Sequence, residues 1–164
     1  ANAFSRAYAE DGMKLWASCK GCLETEERFA HMTDDEFSTF MQASVLAGMA
    51  IAYTGTSIPH GLSYTLTYEN GVPHGKAVGV FLSGFLKKYG DSTETEYVVK
   101  QLLGFDDIDA FRDYIRTLFG NLDMSEELWK KDRDGILANP AKLKNYPFEL
   151  TADVLDDYVR YYNA

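Results

Sequence analysis

Ile58-Pro59-His60-Gly61-Leu62-Ser63-Tyr64-Thr65-Leu66-Thr67-Tyr68-Glu69-Asn70-Gly71-Val72-Pro73-His74-Gly75 holds nearly the same tetrapeptide twice, at 58–61 and 72–75, and two of the three histidines in the chain. Proline fixes φ and suits the first turn of a helix, and glycine lets another group approach the backbone. Each tetrapeptide therefore reads as a helix entrance carrying an imidazole. On one unbroken helix, His60 and His74 would lie roughly 21 Å apart, too far to share an ion. Glu69-Asn70-Gly71 is a reversal signal and changes that distance. A helix of ~9 residues runs out about 13 Å, and ~5 extended residues return about 16 Å. The two imidazoles can then meet, and neutral imidazole is a common ligand for Zn²⁺ and Fe²⁺.

Two readings of the pair stay open on these residues: caps of two helices, or ligands of one ion. Helix N-termini carry partial positive charge and suit an anion better than a cation. A metal there needs a carboxylate, and within 56–75 only Glu69, at the turn, is acidic. The site is incomplete by its own evidence. Thr54-Gly55-Thr56-Ser57, just upstream, reads as a helix-entry loop more readily than as an anion cradle.

Outward from this segment, helical spacing dominates. Phe4, Tyr8, Leu15, Trp16, Cys19 and Leu23 fit one face of a first helix. Thr33-Asp34-Asp35-Glu36 is a capping box opening a long second helix through Phe37, Phe40, Met41, Val45 and Ile51. The small residues Ala43, Ser44, Ala47, Gly48, Ala50 and Ala52 thin one side of it, which places it centrally in a bundle. Downstream of His74, Ala77, Val80, Phe81, Phe85 and Leu86 continue the pattern. Thr93 and Glu96 suggest another capped helix ending at Gly104, followed by helices at 108–119, at 125–137 and from Thr151 onward. No convincing strand run appears, so the class is all-α, a bundle of about seven to eight helices.

Composition narrows the function. The 164 residues are 46% hydrophobic with 10 Phe, 11 Tyr and 2 Trp, which excludes disorder. A net charge of −9 argues against nucleic acid and anionic membranes as partners. No 18-residue uncharged apolar run suggests a membrane span. Two cysteines make no disulfide scaffold, and with no evident leader the expected compartment is the cytoplasm. Cys19-Lys20-Gly21-Cys22 reads as packing, His31 as a solvated loop residue, and Tyr158, Tyr161 and Tyr162 as packing of the last helix. Asp106-Asp107-Asp109, Glu126-Glu127 and Asp156-Asp157 read as solvated helix faces.

The run Gly48-Met49-Ala50, then Pro59-His60-Gly61, then Pro73-His74-Gly75-Lys76-Ala77 resembles the C-terminal helical half of the iron-dependent (group III) alcohol dehydrogenases. The small-residue helix before His60, and Asn139-Pro140 followed by a Thr-initiated last helix, are similar to that family as well. The resemblance covers essentially the whole chain. It implies the helical half of a two-domain, dehydroquinate synthase-like fold, with residues 1–164 as the metal-binding domain and an N-terminal nucleotide-binding domain absent. It implies a divalent metal, Fe²⁺ or Zn²⁺, held by an Asp, a His four residues later, and two later histidines that match His60 and His74. The Asp-x-x-x-His element would lie just before Ala1, so the chain reads as a fragment. NAD or NADP would belong to the full-length enzyme only.

The implied chemistry is interconversion of a small alcohol with its aldehyde or ketone: the metal acts as Lewis acid and hydride moves between substrate carbon and nicotinamide. One departure concerns catalysis. Many members carry a histidine four residues after the first of the pair, and here that position is Tyr64. A phenol can relay a proton, but its reference pKa near 10 makes it a weaker base at neutral pH. Ser83 stands where a proline is common in the family. Rival readings are a stand-alone helical binding module without catalysis and a related metal-independent carbonyl reductase. A homo-oligomer is also consistent with the sequence.

Overall fold

The computed structural model describes residues 2–164, which form helices and loops with no strand among them. Seven helices are long: α1 (Ala3–Cys19), α3 (Asp34–Thr54), α4 (Ile58–Asn70), α5 (His74–Lys87), α7 (Ile108–Phe119), α8 (Glu126–Leu137) and α10 (Ala152–Asn163). Three are short: α2 (Glu26–Ala30), α6 (Ser92–Glu96) and α9 (Pro140–Leu143). The chain divides into two compact units, one of residues up to Gly55 with Glu96–Asp107, the other of Thr56–Thr95 with Ile108–Ala164.

In the first unit, α1 and α3 pack through small residues. Ser5, Gly12 and Cys19 are the buried positions of α1, and Ala43 and Ala50 those of α3. A Cβ at Gly12 would sit 3.2 Å from the carbonyl oxygen of Ala43, so the backbones are nearly as close as they can come. The thin side of α3 thus receives another helix as expected, but α3 is not central. Phe37, Met41, Val45 and Tyr53 are exposed, and so is Phe4 on α1. The capping box forms as read: Thr33 Oγ1 accepts from Glu36 N–H, and the Glu36 carboxylate accepts from Thr33 N–H at 2.8 Å.

The helix expected from Thr93 to Gly104 takes a different form. Asp91 caps it, its Oδ1 accepting from the N–H groups of Thr93 and Glu94. After α6 the chain widens into a π-turn over Tyr97–Leu102. A capping carboxylate two residues earlier outcompetes the Thr93 hydroxyl.

In the second unit, α5 is the central helix, packed on α4, α7 and α10. Its glycines make room. A Cβ at Gly84 would lie 2.6 Å from Tyr158 Cα, and one at Gly79 would strike the Phe119 ring. Ile58, Leu62, Leu66, Phe81, Leu155, Tyr158 and Tyr162 form the core. Tyr162 donates from its hydroxyl to Gly120 O at 2.7 Å. The Asp156-Asp157 pair is not a merely solvated face. Asp156 accepts from Trp129 Nε1 at 2.7 Å and pairs with Arg133, tying α10 to α8, while Asp157 pairs with Lys88.

Two glycine substitutions should move stability in opposite directions. Gly84→Ala pushes a methyl into the α10 backbone and is expected to cost about 3 kcal/mol. Gly48→Ala meets nothing within 4 Å on α3 and should gain about 0.5–1 kcal/mol by helix propensity. Thermal or urea denaturation of the two variants checks the contrast.

Candidate metal centre

The site is built by how α4 ends. Gly71 takes φ +67°, a left-handed conformation that costs a glycine little. Its N–H and that of Val72 both turn back to Leu66 O, closing the helix end. Pro73 then sets the chain for α5, whose first residue is His74. α4 is longer than the reversal alone suggested, 13 residues, and only 71–73 separate the two helices. The chain therefore rejoins α4 one turn above His60, beside Ser63 and Tyr64, and the His74 ring covers the remaining distance.

The two imidazoles are brought together. Their ring centroids lie 5.5 Å apart, with the planes at 62°. His74 Nδ1 is 3.4 Å from Ser63 Oγ, whose hydroxyl donates to the His60 carbonyl. Tyr64 lies nearly parallel to His74, centroids 6.1 Å apart and planes at 7°. His60 is half-buried and His74 exposed. Burial first, then the charges of His74 and Lys142, hold the His60 pKa below the ordinary imidazole value. At neutral pH it is therefore an unprotonated nitrogen donor, the form that binds a metal. Neither α4 nor α5 has a side-chain cap at its N-terminal residue.

Two imidazoles fit a divalent ion by donor type but do not fill its coordination. Among the described residues no group of three or more His, Cys, Asp or Glu side chains is placed to hold a metal. Glu69 is at the far end of α4, paired with Lys131 at 2.7 Å. His31 is exposed, its Nδ1 2.8 Å from Glu27 O. Cys19 and Cys22 are buried and free, and the Cys22 thiol donates to Glu36 at 3.0 Å, which raises its pKa and keeps it a thiol. Ser83 is buried in α5 with no hydrogen-bond partner for its hydroxyl, nine residues beyond His74.

The model for the C-terminal part of the Fe-containing alcohol dehydrogenase family matches residues 23–134, which include both histidines. The chain belongs to this family. It is similar to the crystal structure of an iron-containing alcohol dehydrogenase from Thermotoga maritima, with 28% identity, a TM-score of 0.75, and coverage of 97% of this chain and 42% of that one. A second iron-containing alcohol dehydrogenase gives 28% identity and a TM-score of 0.77, covering 98% of this chain and 42% of that one. Sulfoacetaldehyde reductase from Bifidobacterium kashiwanohense, solved with NAD⁺, gives 26% identity and a TM-score of 0.73 over 99% of this chain and 44% of that one. The chain thus spans a little over two-fifths of the length of these solved proteins. No curated protein sequence matches it.

Two residues in contact with α4 were not singled out by sequence. Lys142, on α9, directs its ammonium over the Tyr64 ring at 4.7 Å. Asp132, on α8, is 5% exposed and accepts from Thr65 Oγ1 of α4 at 2.7 Å, while its Oδ2 has no partner. The spacing of Trp129, Asp132 and Ile136 is the one available signal, since it puts Asp132 on the inward stripe of α8. Lys142 is 78 residues from Tyr64, and no local pattern marks it.

Burial raises the Asp132 pKa to about 6, partly offset by the Thr65 hydrogen bond. The folded state binds this proton more tightly than the unfolded chain. Its contribution is therefore complete below about pH 4 and is lost as pH rises through about 6. Stability should fall by on the order of 2–3 kcal/mol across that window from this group. Asp132→Asn should remove this part of the pH dependence, read as urea midpoints at pH 4, 5, 6 and 7.

Proposed function

We propose that this chain is the metal-holding helical half of an NAD(P)-dependent dehydrogenase that interconverts a small alcohol with its aldehyde or ketone. The observation that carries the proposal is the 5.5 Å approach of two imidazoles, each in the first turn of its own helix, in a chain of this family. His60 and His74 would hold the ion, Fe²⁺ or Zn²⁺, and the remaining ligands and the nicotinamide cofactor would come from an N-terminal nucleotide-binding part. A divalent ion bound there supplies Lewis acidity toward the substrate oxygen.

This chain's own residues do the rest. Ser63 sets the His74 ring by its contact with Nδ1, and its other partner is the His60 carbonyl, so one hydroxyl bridges both ligand residues. Tyr64, 49% exposed, lies against the His74 face and is placed to meet substrate or to pass a proton at its hydroxyl. Ile136 fills the space above Gly61, fixing α4 against α8 immediately beside His60.

A titration with Co²⁺ or Zn²⁺ tests the reading. The 164-residue chain should bind weakly, and His60→Ala and His74→Ala should each lower affinity at least about tenfold, because each removes half of the donor pair. Affinity should fall with acidification as the imidazoles protonate. The chain alone should not oxidise an alcohol with NAD⁺. If one His→Ala change left metal binding intact, the two rings would not act on one ion.

A further inference from the structure

We infer that Lys142 makes this site selective for short alcohols or aldehydes carrying an anionic group, a carboxylate or a sulfonate, near the reacting carbon. The inference rests on the metal-site reading above and adds a recognition element to it.

The lysine is held in place. Its stem lies on α4, with Cγ and Cδ each 3.6 Å from where a Cβ of Gly61 would stand. Gly61 immediately follows His60, so this backbone approach brings the side chain across the first turn of α4. The ammonium ends over the Tyr64 ring, 4.7 Å from its centroid and 3.4 Å from its hydroxyl. Half-buried, and anchored at both stem and head, it has less rotamer freedom to lose on binding than a surface lysine.

Among the described residues no carboxylate lies within 4 Å of the Lys142 ammonium, and its polar contact is the Tyr64 hydroxyl. Several other cations of the second unit are neutralised, Lys131 by Glu69, Lys88 by Asp157 and Arg133 by Asp156. What sets Lys142 apart is its place: half-buried, with its stem on the first turn of α4 and its ammonium over the Tyr64 ring. α4 and α5 also begin here, and their first turns add partial positive charge. A neutral alcohol uses none of this potential. An oxyanion on the substrate would accept a charge-assisted hydrogen bond from Lys142 while the alcohol or carbonyl end faces His60 and His74.

The test follows the ring resonances of His60 and His74 by NMR in the 164-residue chain at constant ionic strength. The probes are 2-hydroxyethanesulfonate, its neutral counterpart 1-propanol, and separately Zn²⁺. The sulfonate should give saturable shifts that propanol does not. Lys142→Met keeps the stem on Gly61 and should weaken sulfonate binding about tenfold or more. Lys142→Arg should restore it, and Lys144→Gln, an exposed lysine nearby, should leave it unchanged. Equal shifts from sulfonate and propanol, or undiminished sulfonate binding in Lys142→Met, would overturn the inference. Zn²⁺ shifts without sulfonate shifts would overturn it while leaving the metal reading intact. Sulfonate shifts lost in Lys142→Met, with no Zn²⁺ response, would uphold anion recognition and sink the metal reading.

Discussion

A left-handed glycine at position 71 decides where everything chemical in this molecule lies. With φ at +67° and two N–H groups returned to Leu66 O, α4 stops within one residue and the chain doubles back. Three residues then suffice to start α5, which packs on α4. His74 enters at the first residue of α5 and His60 in the first turn of α4, and the short link leaves the later helix entrance alongside the earlier one. A side chain at 71 with a Cβ would strain that turn by roughly 1 kcal/mol, and a longer link would release the register. The pairing of the imidazoles is thus a consequence of backbone geometry before it is one of side-chain chemistry.

That geometry has an electrostatic consequence. Bringing two helix entrances together concentrates partial positive charge, and Lys142 adds a full one. Burial first, and then the charges of His74 and Lys142, make His60 hold its proton less tightly than a free imidazole. Such surroundings favour neutral nitrogen donors but oppose an added cation. A divalent ion is held firmly there only when carboxylate from elsewhere offsets the charge, and among the described residues no such group stands near the pair. A chain spanning about two-fifths of its relatives' length and carrying two donors is therefore consistent with half of a coordination sphere. The deficit is one of charge as much as of ligand number.

The features legible in the sequence were those set by local backbone chemistry. Thr33 and Glu36 formed their box, Glu69-Asn70-Gly71 its reversal, Pro59 and Pro73 their helix entrances, and Thr151 its cap. The rest depended on what lay across the gap. Small residues on α3 signalled a close neighbour correctly, but spacing cannot count neighbours, and α3 packs mainly on α1 where a central position was expected. Asp91 outcompeted Thr93 because capping is decided between rival side chains within a turn. Asp132 stands among other charges on α8, and its partner Thr65, 67 residues earlier, is what identifies it as an interior residue. Asp156 reads differently for the same reason, since Trp129 and Arg133 give it a structural task.

Tyr64 shows how a single replacement can alter a site without dismantling it. Its ring covers one face of His74 and supports the Lys142 ammonium on the other side of the same short stretch of surface. A smaller side chain there would leave the imbalance of charge around His60 in place and remove the surface that orients both neighbours. The aromatic face stabilises a cation, and its hydroxyl oxygen accepts from one, so the phenol and the lysine are matched to each other. Position 64 and position 142 therefore form one recognition unit, a cation steadied by an aromatic ring beside two imidazoles. Among the described residues no acid pairs with this cation, so its positive charge is expressed toward the ligand.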